Sequence, residues 1–318
     1  MQSWLRKLLL LAPLSAMPLA VTAPAQADFL VGIVAYERAD FATAYRELSA
    51  PDTRSSAEAQ FYLGRMHLFG QGVAKDEAQG IALIEEAAAG NVVEAVTMLA
   101  KAYEYGMGVE KDKAKALAYW EQAASLGVTS AQVEMGLRYE TGEITGQADY
   151  DTALRGYREA VAANDARAMT YLGSLYERGL GVAQDFAMAA ELYRQAVGKD
   201  HALAMDKLAQ LIVAQGGDLA EARHLAETAV AREGQPLFHA TLGRVLALQG
   251  DLAGAEAAYR EAAKKSPLYV APREALGDLY WAQGRKLDAQ AAWKQALDLA
   301  RKPGDKQRLE EKLRQATF

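Results

Sequence analysis

Two glycine-rich stretches, Gly70-Gln71-Gly72-Val73-Ala74-Lys75 and Gly106-Met107-Gly108-Val109-Glu110-Lys111, are the first places where residue type and spacing suggest chemistry. Glycines of this kind can aim backbone N–H groups at a phosphate. Such a loop, however, needs Gly-Lys-Ser/Thr opening a helix after a strand, or a dinucleotide fingerprint behind a strand. Here the patterns on both sides are helical, and the loop recurs, which a single phosphate site would not do. The four histidines, His67, His201, His224 and His239, form neither HExxH nor an i, i+4 pair, so zinc-ligand spacing is missing. Neither a GxSxG elbow nor an SxxK pair occurs. Acidic side chains are plentiful, but none stands in a context expected to raise its pKa as a general acid requires. The chain has no cysteine, which removes disulfides, thiolate metal sites and cysteine nucleophiles together. The residues therefore predict no catalytic group, no metal and no cofactor.

The dominant pattern belongs to the elements that would carry any site. A small, a bulky and a small residue recur at i, i+4, i+7: Gly80/Ile84/Ala87, Ala116/Trp120/Ala123, Ala153/Tyr157/Ala160, Ala189/Tyr193/Ala196, Ala222/Ala226/Ala229, Ala255/Tyr259/Ala262 and Ala289/Trp293/Ala296. A second set keeps step upstream: Leu63-Gly64, Leu99-Ala100, Met135-Gly136, Leu172-Gly173, Leu208-Ala209, Leu242-Gly243 and Leu276-Gly277. Two helical signatures per period of roughly 35 residues predict stacked helical hairpins. The aspartate ending each loop is placed to N-cap the second helix. Asp76 with Gln79, and Asp218 with Glu221, have capping-box spacing.

Composition narrows the setting. Residues 1–27 read as a secretory signal peptide: Arg6 and Lys7, an apolar stretch from Leu8 to Val21, then Ala25-Gln26-Ala27. Pro13 and Pro18 and the shortness of the stretch count against a membrane span. With no cysteine after the cleavage site, no lipoprotein anchor is expected. Cleavage near Ala27 predicts a periplasmic, or otherwise secreted, mature chain with no membrane insertion. Without the leader the chain holds 33 basic and 41 acidic side chains, a balance that predicts no nucleic-acid partner.

From Ala57 to about Asp200 the unit reads as a Leu-Gly pair, an aromatic, a GxGVxxD loop and Ala-aromatic-Ala. The loop stands at Gly70–Asp76, Gly106–Asp112 and Gly179–Asp185, and departs from pattern as Thr141–Asp149 in the third unit. This segment resembles the Sel1-like repeat family. From His201 the period shortens, and LGRVLALQGDLAGAEAAYREAAKKSP and LGDLYWAQGRKLDAQAAWKQAL are similar to tetratricopeptide repeats. The organisation implied is 28–56 as an N-terminal capping hairpin, 57–200 as four Sel1-like repeats, 201–300 as three tetratricopeptide-like repeats, and 301–318 as a solvated capping helix. The fold implied is an all-α, right-handed superhelical solenoid of about eight antiparallel helix pairs.

The resemblance also implies where a partner would sit. In such stacks the first helix of each hairpin lines a concave groove, and counting the Leu-Gly pair as positions 7 and 8 sends positions 2, 5, 9, 12 and 13 inward. Those positions nominate Glu58, Phe61, Arg65 and Phe69; Lys101, Glu104 and Tyr105; Glu140; Arg167, Glu177 and Arg178; and Trp281. Aromatics with both signs of charge suit a protein or peptide partner. The positions of the family's peptide-carboxylate clamp are not matched. The β-lactam activity ascribed to some relatives depends on a cysteine-rich repeat and does not transfer. The implied role is a periplasmic adaptor or scaffold, in envelope signalling or in exopolysaccharide or cell-wall assembly. The alternative is a glycan- or peptidoglycan-binding accessory protein, for which exposed aromatics near carboxylates, with Trp281 the candidate, would be the mark. Oligomeric state is left open.

Overall fold

The structure, a computed structural model, describes residues 26–316, so the leader expected over residues 1–27 lies almost wholly outside the described residues. Among the described residues there are seventeen helices and no strands. In chain order they are α1 (Gln26–Glu37), α2 (Phe41–Leu48), α3 (Ala57–Phe69), α4 (Glu77–Ala89), α5 (Val93–Tyr105), α6 (Lys113–Ser125), α7 (Thr129–Thr141), α8 (Tyr150–Ala162) and α9 (Ala166–Arg178). They continue as α10 (Phe186–Val197), α11 (Ala202–Ala214), α12 (Leu219–Glu233), α13 (Pro236–Leu248), α14 (Leu252–Lys265), α15 (Val270–Ala282), α16 (Lys286–Leu299) and α17 (Pro303–Gln315). The fold is an all-α solenoid of paired helices. The described residues divide into two compact units, 26–119 and 120–316, the boundary falling within the range of α6.

In the first unit α1 pairs with α2 and α3 with α4, around a core that includes Leu48, Leu63 and Met66. In the second, α7 to α16 form five successive pairs, and their cores follow one another along the chain. The pairing has a steric cause visible in the repeat signatures. In α7 the glycine of Met135-Gly136 lies under the bulky residue of α8: a Cβ on Gly136 would fall 2.5 Å from the Tyr157 ring, and one on Gly277 would fall 2.4 Å from Trp293. Tyr157 and Tyr193 are fully buried in consequence. Where the bulky residue is instead Ala226, the upstream partner is Ala209, and both are buried. One side of each helix pair thus gives up the volume that the other fills, keeping the interior close-packed.

The loops behave as their sequences predict. The carboxylates of Asp76, Asp149 and Asp185 accept from the backbone N–H groups of Gln79, Thr152 and Met188 at 2.9–3.0 Å. Asp112 accepts from Ala114 and Lys115, both at 3.0 Å. Asp218 bonds to Ala220 rather than to Glu221, so its capping-box spacing is not used as expected. Each Sel1-type aspartate also donates its own backbone N–H to the last turn of the preceding helix, Asp76 to the His67 carbonyl at 2.8 Å and Asp185 to that of Tyr176 at 2.9 Å. The loop is thereby tied at both ends, each cap contributing about 1 kcal/mol. The second loop glycine serves a close approach: Gly72 has φ 73°, and a Cβ there would sit 2.6 Å from Phe41. An L-residue at that point meets both a strained backbone and the preceding hairpin.

The charged C-terminal helix expected as a cap, α17, is mostly exposed and packs through a few side chains. Leu309 is fully buried, the Arg308 guanidinium donates two bonds to Glu274 at 2.8 Å, and Lys312 lies 2.6 Å from Asp278. Arg308 and Lys312 stand 34 residues beyond Glu274 and Asp278, which is one repeat. α17 therefore occupies the place of a first helix of a further repeat, packing with its apolar side and leaving a charged side to solvent.

Candidate functional site

The nominated first-helix residues differ in exposure and engagement. In the first unit Glu58 and Lys101 are exposed, Glu104 is half-buried, and Phe69 and Tyr105 are 53% and 61% exposed. Phe61 is a correction: it is 6% exposed, edge-on to Tyr62 at 5.4 Å, and offers no free ring. Arg65 is half-buried, its guanidinium 5.1 Å from the Tyr36 ring and 5.5 Å from that of Phe61. That cation–π packing spends the side chain on the fold. Leu68, at another inward position, is buried, with the next loop passing over it at Gly108.

In the second unit the nominated charges are already engaged. Glu140 accepts from the Tyr157 hydroxyl at 3.0 Å and pairs with Arg178 at 3.1 Å. Glu177 accepts from the Tyr193 hydroxyl at 2.7 Å. Burial first, then the neighbouring carboxylate, pushes both phenols far up, so they remain donors at any ordinary pH. Arg167 reaches Glu134 at 3.7 Å. These acids complete the buried aromatic of the second helix, and the arginines link successive hairpins. Such half-exposed pairs are worth little individually. Trp281 is 37% exposed and leans on Trp293, itself 3% exposed, with Lys286 5.6 Å from its ring.

One acid contradicts the expectation that no carboxyl has a raised pKa. Asp206 in α11 is fully buried, and desolvation pushes it up to about 6 against hydrogen bonds from Thr241 and Gln210. Gln210 donates to its Oδ2 at 2.7 Å, while Oδ1 is buried without a partner. Closed off from solvent, it meets no substrate. Among the described residues no group of three or more His, Cys, Asp or Glu is arranged to hold a metal ion, and no helix is long and apolar enough to cross a membrane.

Position counting nominated Phe69, Tyr105 and Trp281 but missed the rest of an apolar edge to which they belong. In the first unit Phe69, Tyr105 and Met107 (47% exposed) stand at the turns from first to second helix. In the second unit Phe186, Met188, Leu248, Leu252, Trp281 and Leu287 occupy the same turns, each exposed. The signal was available: these turns carry large apolar residues where a solvated loop would carry polar ones.

The Sel1 repeat matches four times, at residues 57–92, 93–128, 129–165 and 166–201. Residues 57–201 are four Sel1 repeats. The four repeats begin with the first residues of α3, α5, α7 and α9, and a tetratricopeptide repeat matches residues 212–269. Among solved structures, c5321, a protective antigen of uropathogenic Escherichia coli displaying an SLR fold, aligns with a TM-score of 0.70 at 24% identity, covering 92% of this chain and 67% of that one. A Sel1 repeat protein from Oxalobacter formigenes aligns at 0.61 and 26% identity over 74% of this chain and 96% of its own. PilF of Pseudomonas aeruginosa aligns at 0.53 and 15% identity, with 71% and 99% covered, which speaks for the fold alone. No curated protein matches the sequence. A Sel1 and tetratricopeptide scaffold fits a protein-interaction role.

Proposed function

We propose that the protein is a periplasmic adaptor that holds a partner protein along the turn edge and adjoining first-helix face of its Sel1 repeats, in envelope signalling or in exopolysaccharide or cell-wall assembly. The observation that carries the proposal is the row Phe69, Tyr105 and Met107: Phe69 and Tyr105 are large apolar side chains left in water at equivalent points of consecutive repeats, and Met107 lies two residues past Tyr105 in the same exposed turn. Exposed apolar rows on a rigid scaffold supply anchors whose burial drives association, and a preordered scaffold loses little entropy on binding. Lys101 and Glu104, within the last turns of the helix that ends at Tyr105, and Glu58 at the far end of the adjoining first-helix face would set orientation more than affinity. The leader-like sequence over residues 1–27 supports the periplasmic assignment. The glycan-binding alternative is less favoured, because Trp281 presents a single ring while Trp293 beside it is buried.

The test is in-cell crosslinking of a tagged chain with capture and mass spectrometry, comparing wild type with Phe69→Ser/Tyr105→Ser. Both residues are more than half exposed, so the variant should fold. One discrete protein captured by wild type and lost in the variant supports the adaptor. Equal capture by both removes this edge, and retention of an oligosaccharide in place of protein moves the reading to the glycan class. Cell fractionation with N-terminal sequencing tests the location: a mature end near Asp28 in the periplasmic fraction is expected, and a cytoplasmic chain starting at Met1 refutes it.

A further inference from the structure

A groove on the second-helix side of the last hairpins carries a charge pattern that the partner edge does not use. Between α14 and α16, floored by α15, lies an open cavity of about 370 Å³ lined by Arg260, Lys264, Arg273, Arg285, Asp288 and Tyr280, with Ala263, Leu276 and Ala292 as its apolar base. The same groove occurs twice earlier, at about 420 Å³ beside α7 and α8 and about 430 Å³ beside α3 and α4. In those two the side chain three residues before the Leu/Met-Gly pair is a glutamine that spans the groove to a carboxylate: Gln60 donates to Glu86 at 2.6 Å, and Gln132 to Glu159 at 2.9 Å. In the last hairpin the corresponding residues are Arg273 and Gln295. The bridging donor has become a cation and its carboxylate has become neutral. Arg273 turns instead to main-chain carbonyls, of Tyr269 at 3.0 Å and Ala263 at 3.3 Å, which satisfies hydrogen bonds and leaves its charge without a carboxylate.

The rest of the lining shifts in the same sense. Where the groove beside α7 and α8 presents Glu121 and Ser125, this one presents Arg260 and Lys264, one helical turn apart on α14. Internal acids offset part of this: Glu256 takes Arg260 and Arg285 at 2.8 Å each, Asp288 takes Arg285 at 2.8 Å, and Glu261 lies 3.5 Å from Lys264. Arg260 and Lys264 are nevertheless 63% and 78% exposed, and cations outnumber acids around the groove in a chain of net charge −6. Guanidinium forks match carboxylates in geometry. Cations one helical turn apart, roughly 6 Å, match alternate side chains of an extended peptide, about 7 Å apart.

We infer that this groove binds an acidic peptide segment of a partner, one of whose carboxylates takes the place that Glu86 and Glu159 fill in the earlier hairpins. It is a second site, independent of the turn edge.

The test titrates the full chain by calorimetry, at low and at physiological salt, with a six-residue alternating Glu-Ala peptide. The Gln-Ala counterpart, inorganic phosphate and oligogalacturonate are run alongside. Expected is binding of the acidic peptide alone, weaker at higher salt, and weakened by at least about tenfold in Arg260→Glu/Lys264→Glu. Both positions are exposed, so folding should survive, and circular dichroism checks it. Lys75→Glu, an exposed exchange far along the chain, should leave binding unchanged. The inference is overturned by no binding, by equal binding of the Gln-Ala peptide, by equal binding of the double variant, or by phosphate or oligogalacturonate binding in place of the peptide. Loss of the turn-edge partner in Phe69→Ser/Tyr105→Ser would not alter any of these readings, so the two proposals fail separately.

Discussion

Replacing Asp206 by Asn should stabilise the protein at neutral and alkaline pH and destabilise it by about 1–2 kcal/mol at acid pH. The carboxyl is fully buried in α11, facing Gln210 on its own helix and Thr241 on α13, with Lys207 and the Tyr269 phenol as the charged or titratable groups nearby. Burial outweighs those hydrogen bonds and raises its pKa from 3.8 to about 6. A carboxyl whose native pKa exceeds its unfolded value binds its proton more tightly in the folded chain. Its contribution to stability is fully present below pH 4 and is lost as pH climbs through about 6. Two pKa units at 1.36 kcal/mol each give a penalty of about 3 kcal/mol at pH 8. Asn keeps the shape and can accept from Gln210, but it places an N–H where Oδ1 has no partner, at a cost of about 1–2 kcal/mol. That cost does not depend on pH. The decisive quantity is therefore the difference between wild type and D206N, measured by urea unfolding at pH 4.5 and pH 8. Expected is a shift of about 2–3 kcal/mol between the two pH values in favour of the variant, with matching changes in amide-exchange protection of α11 and α13. Parallel pH profiles for the two proteins would refute a buried, charged Asp206.

Other consequences follow from the packing. Gly136→Ala should cost about 1–3 kcal/mol, because the new Cβ meets the fully buried Tyr157 ring at 2.5 Å; an unchanged melting temperature would contradict the packing of α7 on α8. Tyr157→Phe should cost about 1 kcal/mol by removing the 3.0 Å hydroxyl bond to Glu140, read by thermal unfolding. Leu309→Ala should cost about 2–5 kcal/mol and raise exchange in α17 and α16, whereas a helix that is only solvated would show neither. The hydrogen bonds from Arg308, with those from Lys312, hold the Glu274 carboxyl down to about 2 despite burial. A depressed carboxyl stabilises above its unfolded pKa, near 4.5, and loses that contribution as pH falls toward 2. Protection of α17 should therefore fall with acid over that window, and Glu274→Gln should remove the dependence.

The sequence by itself determined the repeat. Small–bulky–small triplets and Leu-Gly pairs encode helix pairing through volume, as the fit of Tyr157 over Gly136 and Trp293 over Gly277 shows, and volume is a property of residue type. Loop aspartates encode caps, since Asp76, Asp149 and Asp185 need only their own neighbours to act. The period also carried α17, had it been extended one step from Glu274 and Asp278 to Arg308 and Lys312. What only the tertiary structure decided is which polar and aromatic side chains remain free. Phe61 and Phe69 are both aromatics at inward positions, yet one is buried and the other open. Arg65 is occupied by the Tyr36 ring of the preceding hairpin, Glu140 by Tyr157 and Arg178, and Arg308 by Glu274. Each engagement joins residues 17 to 38 positions apart, so no local pattern could reveal it. Helix pairing depends on what a residue is, whereas an available surface depends on what every neighbour has already taken.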